Sequence, residues 1–125
     1  MPVNIFPIPD SDIDAFLLED VPYGDLTTTV LGIAAERGRI AYRTRHATVL
    51  SSTEEAARLL TRTGCEIESM LPSGETVPVG TTILAATGTA ASLHAGWKAA
   101  LNILEYCCGI ATRTREMVDA ARAVF

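Results

Sequence analysis

Lysine is almost missing from this chain. Lys98 is the only one, and the other nine cations are arginines. The formal net charge is −5, which argues against a dedicated nucleic-acid binder, since such domains normally carry a basic excess. Apolar runs are short. None approaches the roughly 20 residues needed to span a bilayer, so no membrane partner is expected. The first ten residues have neither a basic stretch nor an apolar one, so no secretory signal is read there. Cysteine is limited to Cys65, Cys107 and Cys108. Their number is odd, no CxxC occurs, and adjacent cysteines rarely bridge each other. Reduced thiols in a cytoplasmic protein are expected. His46 and His94 are the only histidines, and neither has ligand spacing to the other or to a cysteine, so no metal site is expected in this chain.

What remains is a good globular composition, 48% hydrophobic and 20% charged over 125 residues, enough for one domain with a core. Residues 1–9 hold three of the six prolines and read as extended. Asp10 or Ser11 can cap a short helix with Ile13, Phe16 and Leu17 on one face, ending before Pro22. Asp25 can cap a second short helix reaching Gly32. Residues 39–45 alternate, with Ile40 and Tyr42 pointing one way and Arg39, Arg43 and Arg45 the other, the pattern of a half-buried strand. A second short strand covers residues 48–50. Ser52 and Glu55 have capping-box spacing ahead of a helix that turns Ala56, Leu59 and Leu60 inward and stops at Gly64.

Residues 65–88 read as β structure: a strand over 65–71, a turn at 72–75, a break at 77–80 and a strand over 81–87. This stretch is similar to the small hammerhead sheet that also carries lipoyl and biotinyl groups, but no lysine sits at its turn, which argues against a carrier role. From Thr89 the pattern turns helical for about twenty residues. Leu93, Trp97, Ala100, Leu101, Leu104 and Cys108 form one stripe; His94, Lys98, Asn102 and Glu105 form another. Gly109 is read as an interruption, with a further helix over 111–123. The order ααββαβββαα predicts an α+β domain with a small, mostly antiparallel sheet.

Few side chains stand out as chemically useful. Lys98, on the polar stripe in mid-helix, suits an anionic ligand or a carboxylate across an interface; equally it reads as a solvated helix lysine. Arg113 and Arg115, read as lying near a helix start after Gly109, could bind an anion there, or stand as surface arginines. The Arg37, Arg39, Arg43 and Arg45 face could meet phosphates or RNA. Its one aromatic, Tyr42, points away, so a solvated or partner-covered sheet face is the better reading. The adjacent thiols read as core packing rather than redox chemistry.

Two segments go further. Glu19-Asp20-Val21-Pro22-Tyr23-Gly24-Asp25-Leu26-Thr27-Thr28 resembles the "ED…GD.TT" opening of the type II, quinolinate phosphoribosyltransferase family. Leu101-Asn102-Ile103-Leu104-Glu105-Tyr106-Cys107-Cys108-Gly109-Ile110-Ala111-Thr112-Arg113-Thr114-Arg115 resembles that family's "LN.L…SGIAT.TR" segment. Both occur in family order, and Pro22-Tyr23, Gly96-Trp97-Lys98 and the lead-in over 5–10 look most like the ModD branch, found with molybdate-transport genes. The resemblance implies an open α/β sandwich, the N-terminal domain of a two-domain homodimer, over residues 1–110. Residues 111–125 would then be a linker helix leading to an α/β barrel absent from this chain.

It also implies transfer of phosphoribose from phosphoribosyl pyrophosphate to a pyridine carboxylate, in NAD biosynthesis for the quinolinate enzymes, with Mg2+ bound in the barrel and no catalytic residue in this chain. Lys98 aligns with a family arginine that reaches the neighbouring subunit's substrate; Arg113 and Arg115 are further substrate-binding candidates. Lysine keeps the charge but loses the bidentate fork, which sets quinolinate itself in question as the acceptor and fits the ModD branch. Cys108 replaces a usual serine. Alone, the chain is expected to be inactive, with exposed apolar surface and a tendency to self-associate. Two other functions compete with this one: a stand-alone module binding an anion or oxyanion such as molybdate, and a purely structural assembly domain.

Overall fold

The computed structural model describes residues 8–20, 32 and 35–124, without the side chains of 16–20. The expected second helix from Asp25 to Gly32, the acidic opening motif and the Phe16–Leu17 face therefore lie outside the described residues or side chains. The chain runs through helix α1 (Asp10–Asp20), strands β1 (Arg37–Arg43) and β2 (Thr48–Val49), helix α2 (Thr53–Arg62), strands β3 (Glu66–Met70), β4 (Thr76–Val77) and β5 (Thr82–Thr89), and helix α3 (Ala90–Val124).

Two antiparallel sheets form, one of three strands in the order β1-β5-β3 and one a ribbon of β2 and β4. Strand β5 is central because its residues can be covered on both faces: Leu84, Ala85 and Ala86 are fully buried. Tyr42 and Ile40 stand opposite Leu84 and Ala86 in register, so the apolar side of the β1 alternation faces the helices. Arg39 and Arg43 are exposed, but the register shift between Tyr42 and Arg43 breaks the expected alternation, so Arg43 and Arg45 border the same helix-side cleft as Tyr42 instead of the opposite face. Strand β1 ends at Arg43, however, and Arg45 sits in the following bend. Nor is the arginine face uniformly free: Arg39 pairs across β5 with Glu68, the residue at the register shift between Ile67 and Ser69 of β3. The expected break over 77–80 starts one residue late, because Val77 is buried and pairs with Thr48.

Helix α2 packs its predicted face: Ala56, Leu59 and Leu60 are fully buried, each leucine contributing about 2 kcal/mol of burial. Its C-terminus closes as a Schellman motif, with Gly64 N–H donating to Thr61 O (3.0 Å) and Cys65 N–H to Leu60 O (3.0 Å). The φ of +101° at Gly64 is one that side-chain-bearing residues rarely adopt. The N-terminus departs from the expected capping box. Ser52 is left-handed (φ 62°, ψ 23°) and its hydroxyl makes no capping bond. The turn after β3 takes over: Ser52 N–H donates to Ser73 Oγ (3.1 Å), and Glu54, not Glu55, accepts from the Ser73 N–H (2.8 Å) and hydroxyl.

Helix α1 is held to α2 by the fully buried Ile13 and by Arg62, which donates to both carboxylate oxygens of Asp14 at 2.6 Å. Helix α3 is a single helix of 35 residues, which corrects the expected interruption at Gly109. Gly109 has open space around it, and side chains on either side of it are anchored: Cys108 to the Ser51 backbone (3.4 Å) and Thr112 to Val49 N–H (3.0 Å). Tertiary contacts hold the helix through a residue that costs about 1 kcal/mol relative to alanine. The architecture is the expected α+β open sandwich, with no barrel among the described residues.

Candidate functional site

Helix α3 positions the main candidates, and its start is well specified. Thr89 Oγ1 accepts from Ser92 N–H (3.2 Å), an N-cap three residues on. Gly96 then lets α3 approach α2 closely. A Cβ there would meet both Thr63 Cγ2 and Oγ1 at 3.1 Å. At 100° per residue, Lys98 lies about 160° around the helix from Gly96. The packing that buries Gly96 therefore turns Lys98 outward. Lys98 is exposed, and among the described residues it has no ion pair or hydrogen-bond partner. Asn102 and Glu105 share its exposed side.

Arg113 and Arg115 are exposed too, but they stand in mid-helix. Their expected place at a helix start, with free N–H groups to help bind an anion, does not exist, because α3 runs unbroken past Gly109. At about 1.5 Å per residue, Arg113 and Arg115 lie roughly 22 and 26 Å along the axis from Lys98. No small anion can touch Lys98 and either arginine of the same protomer.

The fold builds a feature that the sequence did not announce. Strand β1 and the bend after it face α3 across a cleft of about 570 Å3, whose floor includes Tyr42, Ile83, Leu104 and Cys108 and whose walls carry Trp97, Leu101, Glu105, Arg43, Arg45 and His46. One end is fixed by the Tyr42 hydroxyl donating to Trp97 O (2.8 Å). Burial, with the nearby Cys65 thiol as a smaller contribution, pushes the Tyr42 hydroxyl far above its usual range, so it stays a donor. The other end is fixed by Val49 N–H on Thr112. Tyr42 and Trp97 are 55 residues apart, which is why no local pattern reveals the cleft; the only hint was a tryptophan within an otherwise aliphatic stripe. Lys98 is not among its lining residues.

Cys108, where the resemblance implies a serine, is bonded to the backbone of Ser51. Its thiol both accepts from Ser51 N–H and donates to Ser51 O, each at 3.4 Å, as a serine hydroxyl could. Burial raises its pKa despite the Ser51 hydrogen bond, so it is a packed thiol, not a thiolate nucleophile. Among the described residues no three His, Cys, Asp or Glu converge on a metal position, and no helix is long and apolar enough to cross a membrane.

Residues 25–108 match the family model described as "Quinolinate phosphoribosyl transferase, N-terminal domain". A Rhodobacter capsulatus protein named pyrophosphorylase ModD is 43% identical over 120 residues, covering 96% of this chain and 46% of that protein. A Synechocystis sp. protein named nicotinate-nucleotide pyrophosphorylase (carboxylating) is 31% identical over 113 residues, 89% of this chain and 38% of that protein. Among solved structures, NadC from Streptococcus pyogenes superposes with a TM-score of 0.80 at 25% identity, over 89% of this chain and 41% of that one. The chain thus spans less than half the length of the relatives it matches. The match to the family model, the ModD likeness and the shared sandwich agree: this chain belongs to the quinolinate phosphoribosyl transferase family, as an N-terminal domain of the ModD-like kind.

Proposed function

We propose that this chain is the substrate-completing and dimerising domain of a phosphoribosyltransferase that moves phosphoribose from phosphoribosyl pyrophosphate to a quinolinate-like pyridine carboxylate. In this reading Lys98 reaches from one subunit into the active site of its neighbour and holds an acceptor carboxylate as a point charge. The observation that carries the reading is the exposed Lys98 ammonium, turned out by the Gly96 packing and left without a partner among the described residues. The reaction builds positive charge on the sugar and releases pyrophosphate, so it needs several cations and metal-holding carboxylates together. The resemblance implies that those groups, with the Mg2+ they hold, belong to the barrel half of such enzymes. The chemistry is assigned to the part of the protein outside the described residues, which leaves this chain inactive by itself. Arg113 and Arg115, too far along α3 to share the Lys98 ligand, would serve a separate contact, such as a phosphate or an interdomain carboxylate.

Lys98→Ala in the full-length protein tests this. A raised KM for the acceptor, partly restored in Lys98→Arg, with dimerisation unchanged, is the expected result. Unchanged kinetics would remove Lys98 from the site and leave the domain an assembly role.

A further inference from the structure

We propose that the cleft between β1, the bend after it and α3 is a binding site for a small, flat apolar molecule carrying an anionic group, a carboxylate or a phosphate ester. At about 570 Å3 the cleft lies within the size range of small-molecule sites, which pair an apolar lining with a few polar groups that set orientation. Its apolar part is Tyr42, Ile83, Leu101 and Leu104, with Trp97 at 38% exposure offering an aromatic surface at the mouth. Its polar part is cationic. Arg43 and Arg45 line it against a single carboxylate, Glu105, in a chain whose net charge is −5. Neither Arg43 nor Arg45 has an ion pair or hydrogen-bonded partner among the described residues; by contrast Arg39, on the same strand, is taken up by Glu68.

The cationic wall is also held in place before any ligand arrives. Thr44, between Arg43 and Arg45, donates its N–H to Thr81 O (3.0 Å) and its hydroxyl to Pro78 O (2.8 Å), and it accepts from Gly80 N–H (2.8 Å) and Thr81 N–H (3.0 Å). Thr48 Oγ1 closes the bend onto His46 O at 2.7 Å. Four bonds to one threonine fix the backbone from which both arginine side chains extend, which lowers the backbone share of the ordering cost of binding an anion there. The guanidinium groups can hold either anion by paired N–H donors.

The test is amide-detected NMR titration of the 125-residue chain with 2-naphthoate, 2-naphthyl phosphate and the neutral 2-naphthylmethanol. Saturating shifts of the Trp97 indole N–H and of the amides over 43–48 are expected with the two anions. Binding of both should fall about tenfold in Arg43→Gln/Arg45→Gln, the order expected for losing charged donors, while Arg122→Gln on the far part of α3 binds as the parent does. The ratio of naphthoate to naphthyl phosphate affinity tells which anion the wall prefers. Three results would overturn the proposal: no saturating shift at millimolar probe, equal binding of the alcohol and the acids, or shifts confined to the exposed apolar residues of α3 such as Tyr106 and Met117. The arginines are exposed, so their loss does not endanger folding, and an unchanged amide spectrum in the absence of probe checks this.

Discussion

Ser52 allows two accounts of the start of α2 to be set against each other by sign. If Ser52 capped the helix through its hydroxyl, Ser52→Ala would cost about 1 kcal/mol, and Ser52→Gly a few tenths. The structure leads to a different pair of values. Ser52 is left-handed, with φ 62° and ψ 23°, and its side chain bonds nothing in the helix. A side-chain-bearing residue in that region carries a strain of roughly 1–2 kcal/mol, and glycine removes it at a cost of about 0.5–1 kcal/mol in unfolded-state entropy. The bond from Ser52 N–H to Ser73 Oγ belongs to the backbone and survives either change. Ser52→Gly is therefore expected to stabilise by about 0.5–1 kcal/mol, raising Tm by about 3 °C, while Ser52→Ala stays within about 0.5 kcal/mol of the parent. Urea unfolding followed by far-UV circular dichroism measures both. A loss of stability in both variants, larger for alanine, would refute this account and restore the hydroxyl cap.

Gly109→Ala should stabilise the chain by about 1 kcal/mol, because the position is helical with open space for a Cβ; a loss in thermal melting would mean that the helix breaks there after all. Thr112→Val removes the acceptor for Val49 N–H and should cost about 1–2 kcal/mol, with hydrogen exchange at Val49 faster than in the parent and exchange in β5 unchanged relative to global stability. Glu54 gives a pH signature. Burial alone would raise its pKa, but the Ser73 hydroxyl and N–H bonds outweigh it and hold the carboxyl below the ordinary 4.5. A depressed folded value contributes stability above the unfolded pKa that is lost as pH falls through the folded one. Stability should therefore drop with acid below about pH 4.5, and less steeply in Glu54→Gln, by denaturant midpoints across that range.

Much of the frame was legible because it is local. The 56/59/60 spacing put α2 the right way in, Gly64 ended it, and the alternation through Ile40 and Tyr42 oriented β1. The family motifs identified the sandwich. The failures share a cause, which is that a distant residue decided the matter. Ser52 had the right spacing to Glu55 for a capping box, but Ser73, from a turn 21 residues away, supplied the competing partner and drew in Glu54. Gly109 looked like a stop because the ribbon that holds the helix on either side of it cannot be seen in a window of sequence. Arg113 and Arg115 lost their supposed helix start for the same reason. The cleft escaped notice because its two walls come from opposite halves of the chain. Lys98 is different: sequence placed it on the exposed stripe correctly, and what it binds there is the subject of the proposal above.

The bond from Val49 N–H to Thr112 also makes α3 a lever with its fulcrum near the ribbon. Beyond Thr112 every residue to Val124 is exposed, an arm of about 18 Å. A tilt of roughly 10° about that point carries the tip some 3 Å sideways over that length. Lys98 sits about 21 Å from that point on the other side, on turns where Gly96, Ala99, Ala100 and Leu104 are buried, so that part of the helix is held while the outer arm is not. Anything that grips the outer end of α3 therefore loads the Val49–Thr112 bond before it disturbs the packed turns that carry Lys98.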